Sequence, residues 1–435
     1  MRRNKNVASN EFLGYGYAVC DLYHDRAKKL KRSLLKMRKF KLALIGVGGR
    51  GEGLYRVSLK QRDYVEIVGV CDDYMDRCEY VANKVVENGG KRPAMYTDYK
   101  KCIDETNPDA IVIATSWMSH VEISIYAMEK GIPVACEVGG AYSLHSLWEL
   151  VRCYEKTKTP IMFLENGCYN RDKLLTLNMK RLGLLGEIVH CEGQYRHDLR
   201  EEICTGIEKR HYRLQQYIHR NAETYPTHDI GPIAKLLDIN CGNRFVSLYS
   251  AGSKSVGLEE YVNSRNIEHL KGVKFNQSDV VTTIIKCANG ETITIALDTS
   301  LPRFYAKGFV AEGTKGLVSG DLECVFLDGA YADLKHPTIN DVKGNINTYY
   351  EKYEHPLWQN KKFGTEGHGG IDVLVFDQFF EALDQNKPMP IDVYDMAAWM
   401  SITALSEMSL ATGQAVAFPD FTDGKWVLKE NTFAL

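Results

Sequence analysis

Residues 41–51 read KLALIGVGGRG. The run Leu42-Ala43-Leu44-Ile45 is apolar throughout, as a strand buried on both faces of a parallel sheet must be. It leads into Gly46-x-Gly48-x-x-Gly51, with Gly49 and Arg50 between the last two, and then into a stretch able to open a helix. Gly46 permits a tight turn, Gly48 lets backbone approach a pyrophosphate, and Gly51 lets helix pack on strand. The helix N-terminus then offers unpaired N–H groups to the negative charge. A second apolar segment, 65–70, ends in Cys71-Asp72-Asp73. Asp72 stands roughly 20 residues past the last glycine, where an acid meets ribose hydroxyls and repels the 2′-phosphate of NADP. These residues predict a doubly wound domain that binds NAD.

Outward from that turn the pattern alternates strand and helix. A helix over 75–88 precedes Gly89-Gly90, and Asn107-Pro108-Asp109 introduces a strand at 110–114. That strand ends at Thr115-Ser116-Trp117-Met118-Ser119-His120. A helix over 121–130 stops at Gly131, a strand over 133–136 ends at Glu137-Val138, and a helix over 143–156 leads to a strand at 161–164. Ligands of such a sheet lie beyond the C-terminal ends of its strands. Asp72, Thr115, Ser116, Trp117, His120, Glu137, Val138, Glu165 and Asn166 are therefore expected at one crevice.

Beyond Asn166 the rhythm changes. A helix over 171–181 ends at Gly183, and 186–196 alternates as a half-exposed strand does. Later strands, at 245–251, 280–287, 292–298 and 309–312, read as antiparallel, with Ala288-Asn289-Gly290 as a hairpin turn. Residues 333–363 read as a polar loop, 364–370 are glycine-dense, and helices return at 371–383 and 397–410. The expected architecture is α/β: an N-terminal Rossmann domain over 40–165, then an α+β domain over 166–435 with a large, mostly antiparallel sheet. Residues 1–39 form an extension whose segment 21–39 carries Arg26, Lys28, Lys29, Lys31, Arg32, Lys36, Arg38 and Lys39 around Leu30, Leu34 and Leu35. It reads as a basic amphipathic helix packing on the body or on a sister subunit.

Composition narrows the classes. A formal net charge of −2 with 25% charged residues argues against a general nucleic-acid binder. Twelve cysteines without a single Cys-x-x-Cys pair exclude a zinc ribbon and point to reduced thiols in the cytoplasm. Arg2-Arg3 is followed by no apolar core of a signal sequence, and no run reaches the roughly 18 apolar residues of a membrane helix. His190-x-Glu192 places two potential ligands on one strand face, but no third partner has metal-ligand spacing, so no metal is expected.

With these marks in place, the first domain resembles the Gfo/Idh/MocA oxidoreductases. The resemblance rests on the glycine turn, the Asp72 strand end, Asn107-Pro108-Asp109, and Gly131-Ile132-Pro133-Val134 before a glutamate. Ordinary members continue from that glutamate with Lys-Pro, whose lysine assists proton transfer at a sugar hydroxyl; here the chain runs Glu137-Val138-Gly139-Gly140-Ala141. The second domain resembles glycoside hydrolase family 109. The blocks, in order, are Glu165-Asn166-x-x-Tyr169-x-Arg171, Tyr195-x-His197-Asp198-Leu199-Arg200, Tyr225-Pro226-Thr227-His228, Asn240-x-Gly242 and Gly367-His368-Gly369-Gly370-x-Asp372. Asp229 replaces an expected glycine, and Ala222-Glu223 replaces a Gly-Asn type pair.

The resemblance implies an NAD-dependent glycosidase acting on α-N-acetylgalactosaminides or related glycosides. Its alternative is a sugar or cyclitol dehydrogenase of the wider superfamily. In the implied chemistry the cofactor oxidises C3 of the sugar, which acidifies the proton at C2. A base removes that proton, the aglycone leaves by elimination, water adds, and the hydride returns. By resemblance Tyr169 is the expected base, with Arg171 beside it to lower its pKa and to hold sugar. Tyr225 and His228 are expected to handle the O3 proton and to bind substrate, and Tyr305 and His368 to line the rim. The expected partners are a small glycoside and further copies of the chain as dimer or tetramer, with neither nucleic acid nor membrane.

Overall fold

The computed structural model describes residues 37–140, 143–359 and 366–435. The basic extension therefore falls almost wholly outside the described residues. Six parallel strands form the first sheet in the order β3-β2-β1-β4-β5-β6. They are β1 (Phe40–Ile45), β2 (Val65–Cys71), β3 (Ala94–Tyr96), β4 (Ala110–Ile113), β5 (Val134–Cys136) and β6 (Ile161–Phe163). The order reverses between β1 and β4, the switch point at which doubly wound sheets open a ligand crevice. The helices α1 (Gly49–Leu54), α2 (Met75–Glu87), α3 (Tyr99–Thr106), α4 (His120–Glu129) and α5 (Leu144–Thr157) supply the crossovers. The alternation read from the sequence is present, with β3 and α3 in addition. Those two are short, and β3 has no fully buried residue, so neither produces an apolar run.

The second sheet has eight strands in the order β13-β12-β11-β7-β10-β9-β8-β14. They are β7 (Ile188–Arg196), β8 (Phe245–Gly252), β9 (Val280–Cys287), β10 (Thr292–Asp298), β11 (Val310–Gly313), β12 (Gly316–Ser319), β13 (Cys324–Leu327) and β14 (Val416–Ala417). Most pairs are antiparallel, but β7 runs parallel to β10, joining strands about a hundred residues apart. Helix α6 (Arg171–Arg181) precedes the sheet, and α7 (Thr227–Leu236) lies on β7. Close approach of α7 needs Gly193, because a Cβ there would stand 3.1 Å from both Asp229 Cβ and Ile233 Cδ1. The stretch read as a polar loop instead contains the helices Ile339–Val342, Ile346–Tyr353 and Pro356–Gln359. These helices are short, each with a single buried apolar residue (Val342, Ile346 and Trp358), and so leave little apolar periodicity.

Two C-terminal helices return to the first domain. Helix α8 (Ile371–Asp384) docks on the segment after α1, where Arg62 Nη2 donates to the Val373 carbonyl at 2.9 Å and Arg62 pairs with Asp377. Phe380 of α8 packs against Phe40 and Tyr64, with centroids 5.2 and 5.5 Å apart. Helix α9 (Val393–Thr412), capped by Asp392, is buried almost all round between β8, α5 and β6. Such a helix belongs inside a large core. No helix among the described residues is long and apolar enough to cross a membrane. The eleven described cysteines are all free thiols, and ten are buried.

Candidate active site

The glycine turn is as tight as its sequence requires. Gly46 has φ +85°, and a Cβ there would lie 2.5 Å from the Thr115 nitrogen. A Cβ on Gly51 would lie 1.9 Å from the Gly46 oxygen, so helix α1 can sit against β1 only with glycine there. Asp72, at the end of β2, accepts from Val47 N–H at 2.9 Å and from Tyr74 N–H at 3.2 Å, with Arg77 Nη1 at 3.5 Å. It thus ties the turn to the ribose end of the crevice. Across the switch point, Ser119 Oγ donates to Thr115 Oγ1 at 2.8 Å and to the Ser116 carbonyl at 3.1 Å. His120 is buried, and its Nε2 donates to the Thr115 carbonyl at 3.1 Å. Burial pushes its imidazole down to about 4, opposed by that bond, so the ring is neutral and holds the loop rather than a charge.

Arg50 reaches across the crevice. Its Nε donates to Glu137 Oε1 at 2.8 Å, and its two terminal nitrogens donate to Asp372 at 2.9 and 3.1 Å. Glu137 Oε2 accepts from Val138 N–H at 3.0 Å. Asn166 Nδ2 and His368 Nδ1 donate to the same Asp372 carboxylate at 2.8 and 2.9 Å. Burial alone would raise that carboxyl, but His368 and Arg50 hold it well below the usual range. Val138 occupies the position of the family lysine, and the two glycines after it are held by close packing. A Cβ on Gly139 would stand 2.4 Å from Trp117 Cδ1, and one on Gly140 would stand 2.3 Å from Thr403 Oγ1. The glycine pair makes room for the Trp117 indole on one side and for α9 on the other.

The indole is one wall of an aromatic pocket where the two sheets meet. Trp117 stacks on Tyr225 with centroids 5.0 Å apart, and Tyr195 stands edge-on to Tyr225 at 4.6 Å. Tyr305 and His197 close the outer side at 5.0 Å from each other, and the Arg213 guanidinium lies 5.2 Å from both the Trp117 and Tyr225 rings. Inside the pocket, Tyr225 Oη is 3.0 Å from His228 Nε2, and His228 Nδ1 is 2.7 Å from Glu165 Oε1. A carboxylate only accepts, so Nδ1 carries a proton and donates to Glu165, while Nε2 faces the tyrosine hydroxyl. Glu165 is wholly buried; burial would raise it, but the His228 charge and hydrogen bond outweigh that and lower its pKa. Burial pushes Tyr195 and Tyr225 upward, and Arg213 opposes the shift in both. Tyr305 is pushed up to about 12, chiefly by burial.

The structure thus gathers Tyr225, His228, Tyr305 and Trp117 in one pocket, with Glu137, Asn166 and Arg50 at its inner edge. It does not bring Tyr169 there. The 3-10 turn Asn166–Tyr169 directs that ring inward, 5.1 Å from Phe433, with 0% exposure. Its hydroxyl is buried without a hydrogen-bond partner, and burial raises its pKa well above the ordinary value. Arg171 does not attend it. Arg171 pairs with Glu354, lies 3.8 Å over the Tyr350 ring, and lines a separate cavity of about 640 Å³ with Trp358 and Asn347. Tyr195, rather than Tyr169, lies against Tyr225 and His228, with ring centroids 4.6 and 5.7 Å away. The alternation of β7 puts Tyr195 on the buried face with Cys191 and Gly193, a signal present in the sequence but not used to give it a role. Asp372 carries no signal beyond its place in the Gly367–Asp372 block, and Arg213 lies in no block at all. His190 bonds Thr292 at 2.8 Å, and no group of three or more metal-ligating side chains occurs among the described residues.

Fold and site together define a Rossmann-type NAD-binding protein with a cluster of aromatic side chains at the crevice. Residues 40–164 match the oxidoreductase family with an NAD-binding Rossmann fold, and 169–428 match the C-terminal domain of glycosyl hydrolase 109. A glycosyl hydrolase family 109 protein of Stenotrophomonas maltophilia is 37% identical over 91% of this chain and 92% of its own. An alpha-N-acetylgalactosaminidase of Tannerella forsythia is 37% identical over 85% of this chain and 84% of its own. Among solved structures, levoglucosan dehydrogenase in complex with NADH superposes with TM-score 0.67 at 20% identity, over 88% of this chain and 100% of that one. The chain belongs to glycosyl hydrolase family 109, as an NAD-dependent glycosidase built on the Gfo/Idh/MocA framework.

Proposed function

We propose that the protein hydrolyses α-N-acetylgalactosaminides or closely related glycosides by oxidation at C3, proton removal at C2, elimination of the aglycone, water addition and reduction. The observation that carries this reading is the Glu165–His228–Tyr225 chain beside Tyr195 at the crevice of the NAD-binding domain. The turn at Gly46, Gly48, Gly49 and Gly51 fits a dinucleotide, as do Asp72, the Thr115-Ser116 loop and His120. When bound, NAD supplies the acceptor and later the donor of the C3 hydride.

The chain's own residues move the protons. Tyr225 and His228 take the O3 proton as C3 is oxidised, and Glu165 fixes the imidazole so that Nε2 faces the sugar. Tyr195 removes the C2 proton, with Arg213 as the positive charge that favours its phenolate. Trp117 and Tyr305 hold the ring, and Arg50, Glu137 and Asn166 border the nicotinamide end. The relative from T. forsythia points to N-acetylgalactosamine as the glycone.

The test is a panel of aryl α- and β-glycosides turned over by NAD-loaded protein in D2O and followed by NMR. Free sugar carrying deuterium at C2, without net NADH, supports the reading and names the glycone. NADH accumulating while the glycoside stays intact overturns it in favour of a sugar dehydrogenase.

A further inference from the structure

Asp372 is where the two halves of the chain meet. Its side chain is 1% exposed, one residue into α8, and it accepts hydrogen bonds from three separate segments. Arg50 comes from the glycine turn, Asn166 from the end of β6, and His368 from the loop before α8. The loop is unusual in its backbone. Gly367, His368, Gly369 and Gly370 have φ of 62, 52, 73 and 95°, four successive left-handed residues. Only His368 among them carries a side chain, at a cost of about 1 to 2 kcal/mol. A Cβ on Gly367 would lie 2.7 Å from Val57 Cγ2, so the loop rests on the helical segment that continues from α1. Strain of this kind persists only where the surroundings hold it, and it gathers at ligand clamps.

We propose that Asp372 and His368 are cofactor-holding residues. Arg50 belongs to the turn that the fold reserves for the pyrophosphate. The carboxylate of Asp372 locks that guanidinium to a loop from the far domain, and His368 locks the loop to the carboxylate. The three form a clasp across the crevice, and NAD leaves only when the clasp opens. Two carboxylates, Glu137 and Asp372, already offset the Arg50 charge, so the clasp adds little attraction for the diphosphate. Its effect falls on release. This suits a reaction with no net redox change, in which the same cofactor serves successive turnovers. The proposal rests on the NAD-binding reading.

The test is the rate at which bound NAD exchanges for excess NADH, followed by energy transfer from protein tryptophan to bound NADH. Glycine fits the backbone at position 368, so His368→Gly removes the imidazole without adding strain. Release is expected to quicken by about tenfold in His368→Gly and at least as much in Asp372→Asn. In His368→Asn, which keeps a donor and tolerates the left-handed backbone, release stays within about threefold of the parent. The melting temperature of NAD-free His368→Gly is expected within about 2 °C of the parent's, which separates this role from a structural one. Exchange in His368→Gly within about twofold of the parent's overturns the clasp, whatever Asp372→Asn does. A parent protein that binds no NAD at all overturns the cofactor reading beneath it instead.

Discussion

A base that forms a carbanion must reach the sugar and must be able to lose its own proton. On the reading proposed above that base is Tyr195, 4.6 Å from Tyr225, where burial pushes the phenol up and Arg213 opposes the push. Tyr169 meets neither demand. Tyr195→Phe is therefore expected to lower kcat on an aryl glycoside by about 10²- to 10⁴-fold and to abolish C2 deuterium exchange. Tyr169→Phe should leave both within about twofold. It should also leave stability unchanged or raised by about 1 kcal/mol, since the lost hydroxyl is a buried group without a partner. Glu223 makes a second prediction. It is wholly buried, accepts from Tyr225 N–H at 3.3 Å, and is pushed by burial up to about 8. Asp229 is pushed up by burial and then by Glu223. A carboxyl whose folded pKa exceeds its unfolded value binds more protons when folded. Its stabilisation is complete below the ordinary glutamate value, about 4.5, and is lost as pH rises through about 8. The melting temperature should fall from pH 6 to pH 9, and Glu223→Gln should flatten that fall.

The turn after β5 shows how one element serves both domains. Gly139 and Gly140 leave room for the Trp117 indole and for Thr403 of α9, and Trp117 in turn stacks on Tyr225. Gly139→Ala should displace the indole, cost about 1 to 3 kcal/mol in denaturant melts, and lower kcat/KM about tenfold. Its neighbour Gly140→Ala, which meets α9 rather than the pocket wall, should cost similar stability with a smaller kinetic effect. How much of the molecule can be read from its sequence varies by element in the same physical way. Helix α6 and the hairpin β9–β10 have the bounds expected, because their periodicity is local and a turn signal separates the strands. Strands β3, β12 and β13 escape notice at three or four residues each. The parallel pairing of β7 with β10 leaves no local trace, since it joins distant segments. The same holds at the site. Residues at strand ends, such as Asp72, Glu137 and Asn166, are placed by topology, whereas the choice between Tyr169 and Tyr195 depends on which way a short 3-10 turn rolls. Motif order cannot reveal that.

At the scale of the whole molecule, the described residues cover one face of the eight-stranded sheet and leave the other open. Helix α7 and the aromatic pocket occupy the covered face, where Gly193 and Tyr195 point. On the other face the register aligns Tyr249, Ile284, Thr294, Glu192 and Val310 in a row across five strands. Tyr249 is 44% and Ile284 50% exposed, and β9 alternates strictly between buried and exposed residues. A row with Tyr249 and Ile284 side by side at one end, on an open sheet face, suits a twofold contact in which one patch meets itself. The pairing of copies expected from the sequence has this face open to it among the described residues. Ile284→Glu would set a charge against its own symmetry mate, and burying two unpaired carboxylates costs far more than the lost apolar area. Light scattering after gel filtration should show a multiple of 49.2 kDa for the parent and a single chain for the variant at the same concentration. Because Ile284 faces away from the pocket, kcat of the variant should stay within about twofold, which separates loss of assembly from loss of fold. A parent that runs as a single chain would sink the pairing and leave the residue and element predictions untouched.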